Sequence, residues 1–83
     1  MKNEKPGIDH LTVGDVVTII EPLHRSEPRL TLARITSQKR VWWEFEEVTD
    51  APYPRAWRMR RDTQDAASGY SNCNRFATAE QLQ

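Results

Sequence analysis

The stretch that decides the fold is residues 41–48, which read VWWEFEEV. Successive side chains of a β-strand point to opposite faces of a sheet. Here one face carries Val41, Trp43 and Phe45, and the other carries Glu44, Glu46 and a third large aromatic, Trp42. This alternation with a period of two predicts a strand that is buried on one face.

Further strands are predicted on both sides of this one. Residues 16–20, VVTII, form a β-branched run after a Gly-Asp turn at 14–15, and residues 30–36, LTLARIT, form a second strand. Residues 56–61, AWRMRR, alternate again with Trp57 and Met59 on one face, and a short fifth strand is expected after Gly69. Pro22 and Pro28 require a surface loop between the first two strands.

These elements predict an all-β fold with almost no helix. A sheet this small protects its edges by closing, so we expect a small SH3-like antiparallel barrel of about five strands, with an OB-type barrel as the alternative. Thr78 followed by Gln81 has the spacing of a capping box and predicts a short C-terminal helical turn. The 83 residues allow one domain, residues 11–83, after a polar and flexible N-terminal segment, residues 1–10.

Composition excludes several classes of protein. Twelve Lys and Arg balance twelve Asp and Glu, so no overall field attracts nucleic acid or membrane. The single cysteine, Cys73, cannot form an internal disulfide, which favours the reducing cytoplasm. No signal peptide or membrane span is expected. Because Cys73, His10 and His24 are scattered along the chain, we expect no metal site and no cofactor.

Sequence motifs of catalysis are absent from the chain. Its three glycines form no phosphate-binding loop, and nothing around Ser26, His24 and Asp15 resembles a nucleophile elbow. The expected function is therefore non-enzymatic. An enzyme assembled only as an oligomer, with its site where several copies meet, is a third hypothesis, and the sequence leaves the oligomeric state open.

The leading hypothesis is a binding module that docks on a protein partner. Trp42 is expected on the outer face of the barrel beside Arg40, and Trp and Arg are the residues most enriched at interface anchors. The predicted partner-binding residues are Arg40, Trp42, Tyr53, Arg55 and Tyr70. The alternative is that loops or the C-terminal turn cover Trp42.

The second hypothesis is a nucleic-acid-binding accessory domain that uses the arginine-rich fourth strand. Its candidate residues are Arg34, Lys39, Arg58, Arg60 and Arg61, together with Arg40. One expected register argues against this function. If Phe45 faces Met59, then Glu46 lies opposite Arg58 and Glu44 lies opposite Arg60, and such pairs contribute about 0.2–1 kcal/mol each. Paired arginines keep little field for phosphate, which favours a structural role for them.

The segments GDVV, ARITSQKRVWWEF, WRMRRDT and SGYSNCNRFATAEQL resemble a loose group of small proteins from phages and bacterial mobile elements. The resemblance covers roughly residues 11 to 82, and its closing motif is matched by Phe76, Thr78, Glu80 and Gln81. It implies a compact β domain of mobile-element origin and brings no catalytic residue. It also makes inhibition of a host machine, such as a defence complex, a natural special case of docking. The loop at 21–29 and Pro52-Tyr53-Pro54 depart from the pattern.

Overall fold

The computed structural model describes residues 7–23, 27–66 and 74–82. These residues form five antiparallel strands in one sheet that curls into a half-barrel, with no helix among them, which confirms the predicted all-β class. The strands are β1 (Val16–Glu21), β2 (Arg29–Gln38), β3 (Trp42–Glu47), β4 (Ala56–Arg60) and β5 (Arg75–Ala77). Their order across the sheet is β4-β3-β2-β1-β5.

The predicted Gly-Asp turn leads into β1. Gly14 has a φ of 101°, a backbone conformation that side chains with a Cβ rarely adopt. The Asp15 carboxylate accepts a hydrogen bond of 2.9 Å from the Thr12 N–H, and the Gly14 N–H donates to the Ile35 carbonyl at 2.9 Å. The turn is thereby attached to β2 as well as to β1.

The concave face of the curled sheet is the core. It buries apolar side chains from all five strands, with Phe45, Phe76, Ile19, Ile35 and Met59 the largest that are fully enclosed. The Phe45 and Phe76 rings lie 4.6 Å apart between centroids. Trp43, Phe45 and Met59 are buried on this face as the alternation predicts, and Trp57 packs half-buried against it. Val41 belongs to the turn before β3 and is exposed.

The register between β3 and β4 differs from the expected one by two residues. Phe45 pairs with Trp57 rather than Met59, so Glu44 lies opposite Arg58, and Glu46 lies opposite Ala56. Arg60 lies opposite Trp42 instead of Glu44. A shift of two residues keeps every side chain on its predicted face, so the hydrophobic pattern alone does not distinguish the two registers. The predicted ladder of two Glu–Arg pairs is therefore wrong.

Three segments outside the strands are attached to the half-barrel. The Phe76 N–H donates to the Gln64 carbonyl, and the Arg60 N–H donates to the Asp65 carbonyl, so residues 64–65 connect the end of β4 to β5. Ile8 lies within the segment predicted to be flexible, yet it is buried in the core. At the C-terminus the Thr78 and Gln81 side chains form both bonds of the capping box, and residues 78–82 form a single turn.

Candidate binding surfaces

The outer face of the sheet exposes an apolar strip, which we define as Val16, Leu30, Leu32 and Val48. Leu30 is 61% exposed and Leu32 is 56% exposed. Val48, just after β3, lies beside Leu32, because its N–H donates to the Leu32 carbonyl at 3.0 Å. Val16 of β1 lies diagonally from Leu32, because its register partner on β2 is Arg34. Contiguous exposed apolar side chains of this kind are typical of interaction surfaces.

Two arginines border this strip on the outer face. Arg34 lies opposite Val16, and Arg75 lies opposite Ile20, which is itself paired with Leu30. Within the described part of the chain neither guanidinium has a carboxylate within 4 Å. Glu46 is the register partner of Arg34 on β3 but makes no ion pair with it. The border of the strip therefore carries two arginines without an ion-pair partner in the described part of the chain, one of them beside Glu46.

Trp42 lies on the same outer face, at the other end of β3. It is half-buried, and two arginines of β4 pack over its ring. The guanidinium carbon of Arg58 is 4.6 Å from the ring centroid, and that of Arg60 is 5.8 Å away. Arg58 makes this contact although Glu44 is its direct cross-strand partner, and no ion pair joins the two.

The four predicted partner-binding residues that the structure describes do not form one surface. Arg40 is exposed in the β2–β3 turn near Trp42. Tyr53, which is 89% exposed, lies in the β3–β4 loop at the opposite end of the hairpin. Arg55 precedes β4 at that same end, and its guanidinium bonds Glu21 of β1. Tyr70 lies outside the described residues.

The predicted nucleic-acid residues separate into two groups. Lys39, Arg58, Arg60 and Arg61 lie at the end of the barrel that holds the β2–β3 turn, whereas Arg34 belongs to the border of the apolar strip. Arg60 donates two hydrogen bonds of 3.0 Å to Asp62, and these hold the pKa of Asp62 below its usual value. Arg61 forms an ion pair with Asp9.

Arg55 is the centre of a network at the far end of the concave face. It donates hydrogen bonds of 2.8 and 3.0 Å to the two carboxylate oxygens of Glu21, and its guanidinium lies 5.1 Å from the Trp57 ring centroid. The Thr31 hydroxyl donates to Glu21 at 2.8 Å. Burial raises the pKa of Glu21, but the hydrogen bonds from Arg55 and Thr31 and the charge of Arg55 outweigh it, so the net pKa is lowered. With Glu47 of β3, whose carboxylate lies 3.5 Å from the Arg55 Nε, this network connects four strands.

Of the residues considered for catalysis or metal binding, the structure describes only some. Ser26, His24 and Cys73 lie outside the described residues, and Asp15 caps its own turn. Across residues 7–23, 27–66 and 74–82, no three His, Cys, Asp or Glu side chains are grouped to hold a metal ion. The same residues include no helix long and apolar enough to span a membrane.

The sequence analysis missed Leu30 and Leu32 as candidate binding residues. The sequence pattern does indicate them, because β2 carries apolar side chains on both faces: Leu30 and Leu32 at even positions, and Ala33 and Ile35 at odd positions. A strand with apolar residues on both faces has either two buried faces or an exposed apolar one. With a single curled layer, only the second is possible for β2.

Comparison with models of protein families, with curated proteins and with solved structures finds no match to this chain.

Proposed function

We propose that this protein is a non-enzymatic binding module that docks on a protein partner through the outer face of its sheet. The observation that carries the proposal is the apolar strip, where Leu30 and Leu32 are both more than half exposed beside Val16 and Val48. Burying one such side chain on binding contributes roughly 1.5–3 kcal/mol, so two leucines suffice as anchors of an interface.

The border of the strip indicates the chemistry of the partner. Arg34 and Arg75 have no carboxylate partner within 4 Å in the described part of the chain, and they lie on either side of Leu32 and Leu30. An apolar centre with a charged rim is the usual anatomy of an interface. The proposed partner therefore presents apolar side chains flanked by Asp or Glu. Trp42 with Arg40 extends the same face toward the β2–β3 turn.

We also propose that the fold is an SH3-like barrel and that the protein acts in the bacterial cytoplasm. Four strands in a meander, with the fifth beside the first, support the SH3-like over the OB-type arrangement. The capping-box bonds of Thr78 and Gln81 support a C-terminal helical turn. The resemblance to mobile-element proteins and the single cysteine favour a host protein in the bacterial cytoplasm, with inhibition of a defence complex as one such role.

The test compares matched variants in capture of a partner from nuclease-treated bacterial lysate, followed by titration of the purified partner. Leu30→Gln with Leu32→Gln removes the apolar anchors. Val13→Gln is the control, because Val13 is 57% exposed but lies in the turn before β1. We expect the double variant to weaken binding of the purified partner at least 100-fold, and the control to leave it within two-fold.

Three outcomes would contradict the proposal. The first is that the double variant and the wild type bind the partner equally well. The second is that binding is lost with Trp42→Ala but kept by the double leucine variant, which would place the interface at the other end of β3. The third is a dimer in sedimentation that dissociates on Leu32→Gln, which would assign the strip to self-association. Circular dichroism spectra and melting temperatures of all variants establish that they fold.

A further inference from the structure

A second surface lies at the end of the barrel opposite the Arg55 network. We call it the basic end and define it as Lys39, Arg40, Arg58, Arg60 and Arg61 together with Trp42. Backbone hydrogen bonds hold its parts together: the Lys39 N–H donates to the Trp42 carbonyl at 3.0 Å, and the Arg61 N–H donates to the Val41 carbonyl at 2.8 Å. The β2–β3 turn and the end of β4 are therefore adjacent.

The basic end has an excess of unpaired positive charge. Arg60 is bonded to Asp62 and Arg61 to Asp9, which satisfies two of its five cations. Lys39, Arg40 and Arg58 have no carboxylate within 4 Å in the described part of the chain. A groove of about 430 Å³ lies between the N-terminal segment and the β2–β3 turn, and its charged lining is Lys39, Arg40 and the ion pair of Arg61 with Asp9. Local excess charge of this kind binds anions even in a protein of zero net charge.

The stack of Arg58 on Trp42 distinguishes among anions. A guanidinium that packs against an aromatic ring keeps its outer plane and its N–H edges available. Unstacked bases pack against such planes and against aromatic rings, whereas the bases of a duplex are not accessible in this way. The corrected register matters here, because it places Arg60 opposite Trp42 instead of Glu44. Arg58 has Glu44 as its cross-strand partner, but its guanidinium packs over the Trp42 ring.

We propose that the basic end binds single-stranded nucleic acid. Lys39 and Arg40 contact successive phosphates at the groove, the free N–H edge of Arg58 contacts a third, and one base packs against the Arg58–Trp42 stack. The site is small, with about three phosphate contacts, so affinity depends on salt with a slope of about −2 in a plot of log K against log salt concentration. Binding then weakens roughly 15-fold between about 50 and 200 mM salt.

The test is fluorescence anisotropy of the full chain with a 5′-labelled oligothymidylate of about 20 nucleotides. Lys39→Ala with Arg40→Ala should weaken binding at least ten-fold and lower the salt slope by about 1.4. Arg58→Ala should weaken it five-fold or more through loss of stacking. The matched control is Arg29→Ala with Arg75→Ala, which removes the same charge from exposed arginines away from this end. The control should change affinity less than two-fold.

Several results would overturn this proposal. One is the absence of binding at about 25 mM salt, where phosphate contacts are strongest. Others are equal weakening by both double variants, which indicates a general charge effect, and duplex DNA binding as tightly as the single strand, which excludes a role for stacking. Competition by polyglutamate at the same concentration of charges would show that any polyanion, including an acidic protein, is accepted. None of these results bears on the apolar strip, whose variants leave Lys39, Arg40 and Arg58 unchanged.

Discussion

The hydrogen bonds between Arg55 and Glu21 should make a measurable contribution to stability. Glu21→Gln and Arg55→Met keep most of the side-chain volume and remove the charge on one partner or the other. The Glu21 side chain is only 12% exposed, whereas that of Arg55 is 42% exposed. Hydrogen bonds to charged groups contribute about 1.5–3 kcal/mol when shielded and exposed ion pairs about 0.2–1 kcal/mol. Because solvent screens the charge of Arg55, we expect the interaction energy between the two side chains to lie between these ranges, at about 1–1.5 kcal/mol.

The assay is urea unfolding followed by tryptophan fluorescence for the wild type, both single variants and the double variant. We expect each single variant to lose about 1–2 kcal/mol, which lowers the melting temperature by roughly 4–8 °C per kcal/mol in a domain of this size. Asp62→Asn is the control, because Asp62 accepts two bonds of similar length from Arg60 but its side chain is 61% exposed, and the urea midpoint of this variant should not move. An interaction energy between Arg55 and Glu21 below about 0.3 kcal/mol, obtained from these four proteins as a double-mutant cycle, would refute the reasoning.

The same network predicts a dependence on pH. The pKa of Glu21 is lowered in the folded chain, so its contribution is present above the ordinary value of about 4.5 and is lost as the pH falls through the folded-state pKa. The stability difference between the wild type and Glu21→Gln should therefore be constant near neutral pH and shrink from roughly pH 5 downward. A difference that stays the same at pH 3 would show that the carboxylate of Glu21 is not the group responsible.

Three further predictions concern the barrel itself. Gly14→Ala should cost about 1–2 kcal/mol in urea unfolding because of the positive φ, and Gly7→Ala, which also meets no neighbouring atom, should be neutral. Ile35→Val should cost about 0.5–1.5 kcal/mol because Ile35 is fully buried, whereas Leu32→Val on the outer face should stay within about 0.5 kcal/mol. Thr78→Ala should cost about 1 kcal/mol and accelerate hydrogen exchange of the Gln81 amide, which donates to the Thr78 hydroxyl; unchanged exchange would contradict the capping box.

The faces of the strands could be predicted from the sequence because a period of two is a local property. Trp43, Phe45 and Met59 are buried where the alternation of β3 and β4 placed them. Which face of β2 is buried could not be predicted in this way, because apolar residues occupy both its odd and its even positions. The large aromatic rings of β3 and β5 leave limited volume on the concave face. Ala33 fits there with no exposed surface, and the bulkier Leu32 faces outward.

The candidate sites could be predicted only in part, because they depend on contacts between residues far apart in the chain. Exposure of Arg40 and Tyr53 follows from their positions in turns. The separation of Tyr53 from Trp42 depends on which hairpin end each occupies, and the cover on Trp42 depends on the register. A register shift of two residues changes neither the buried set nor the strand lengths, so it leaves no signal in the hydrophobic pattern.

Arg55 and Glu47 are bonded at the hairpin end in this register. The Glu47 N–H donates to the Arg55 carbonyl at 2.8 Å, and the Arg55 N–H donates to the Glu47 carboxylate at 3.2 Å. A slip of two residues would separate these groups and move the Arg55 guanidinium away from Glu21. Because such a slip keeps every side chain on its face, these polar bonds favour the observed register where the hydrophobic pattern does not discriminate. The same register places Arg60 opposite Trp42 at the other end of the hairpin, so the polar contacts at one end and the arginines around Trp42 at the other belong to one arrangement.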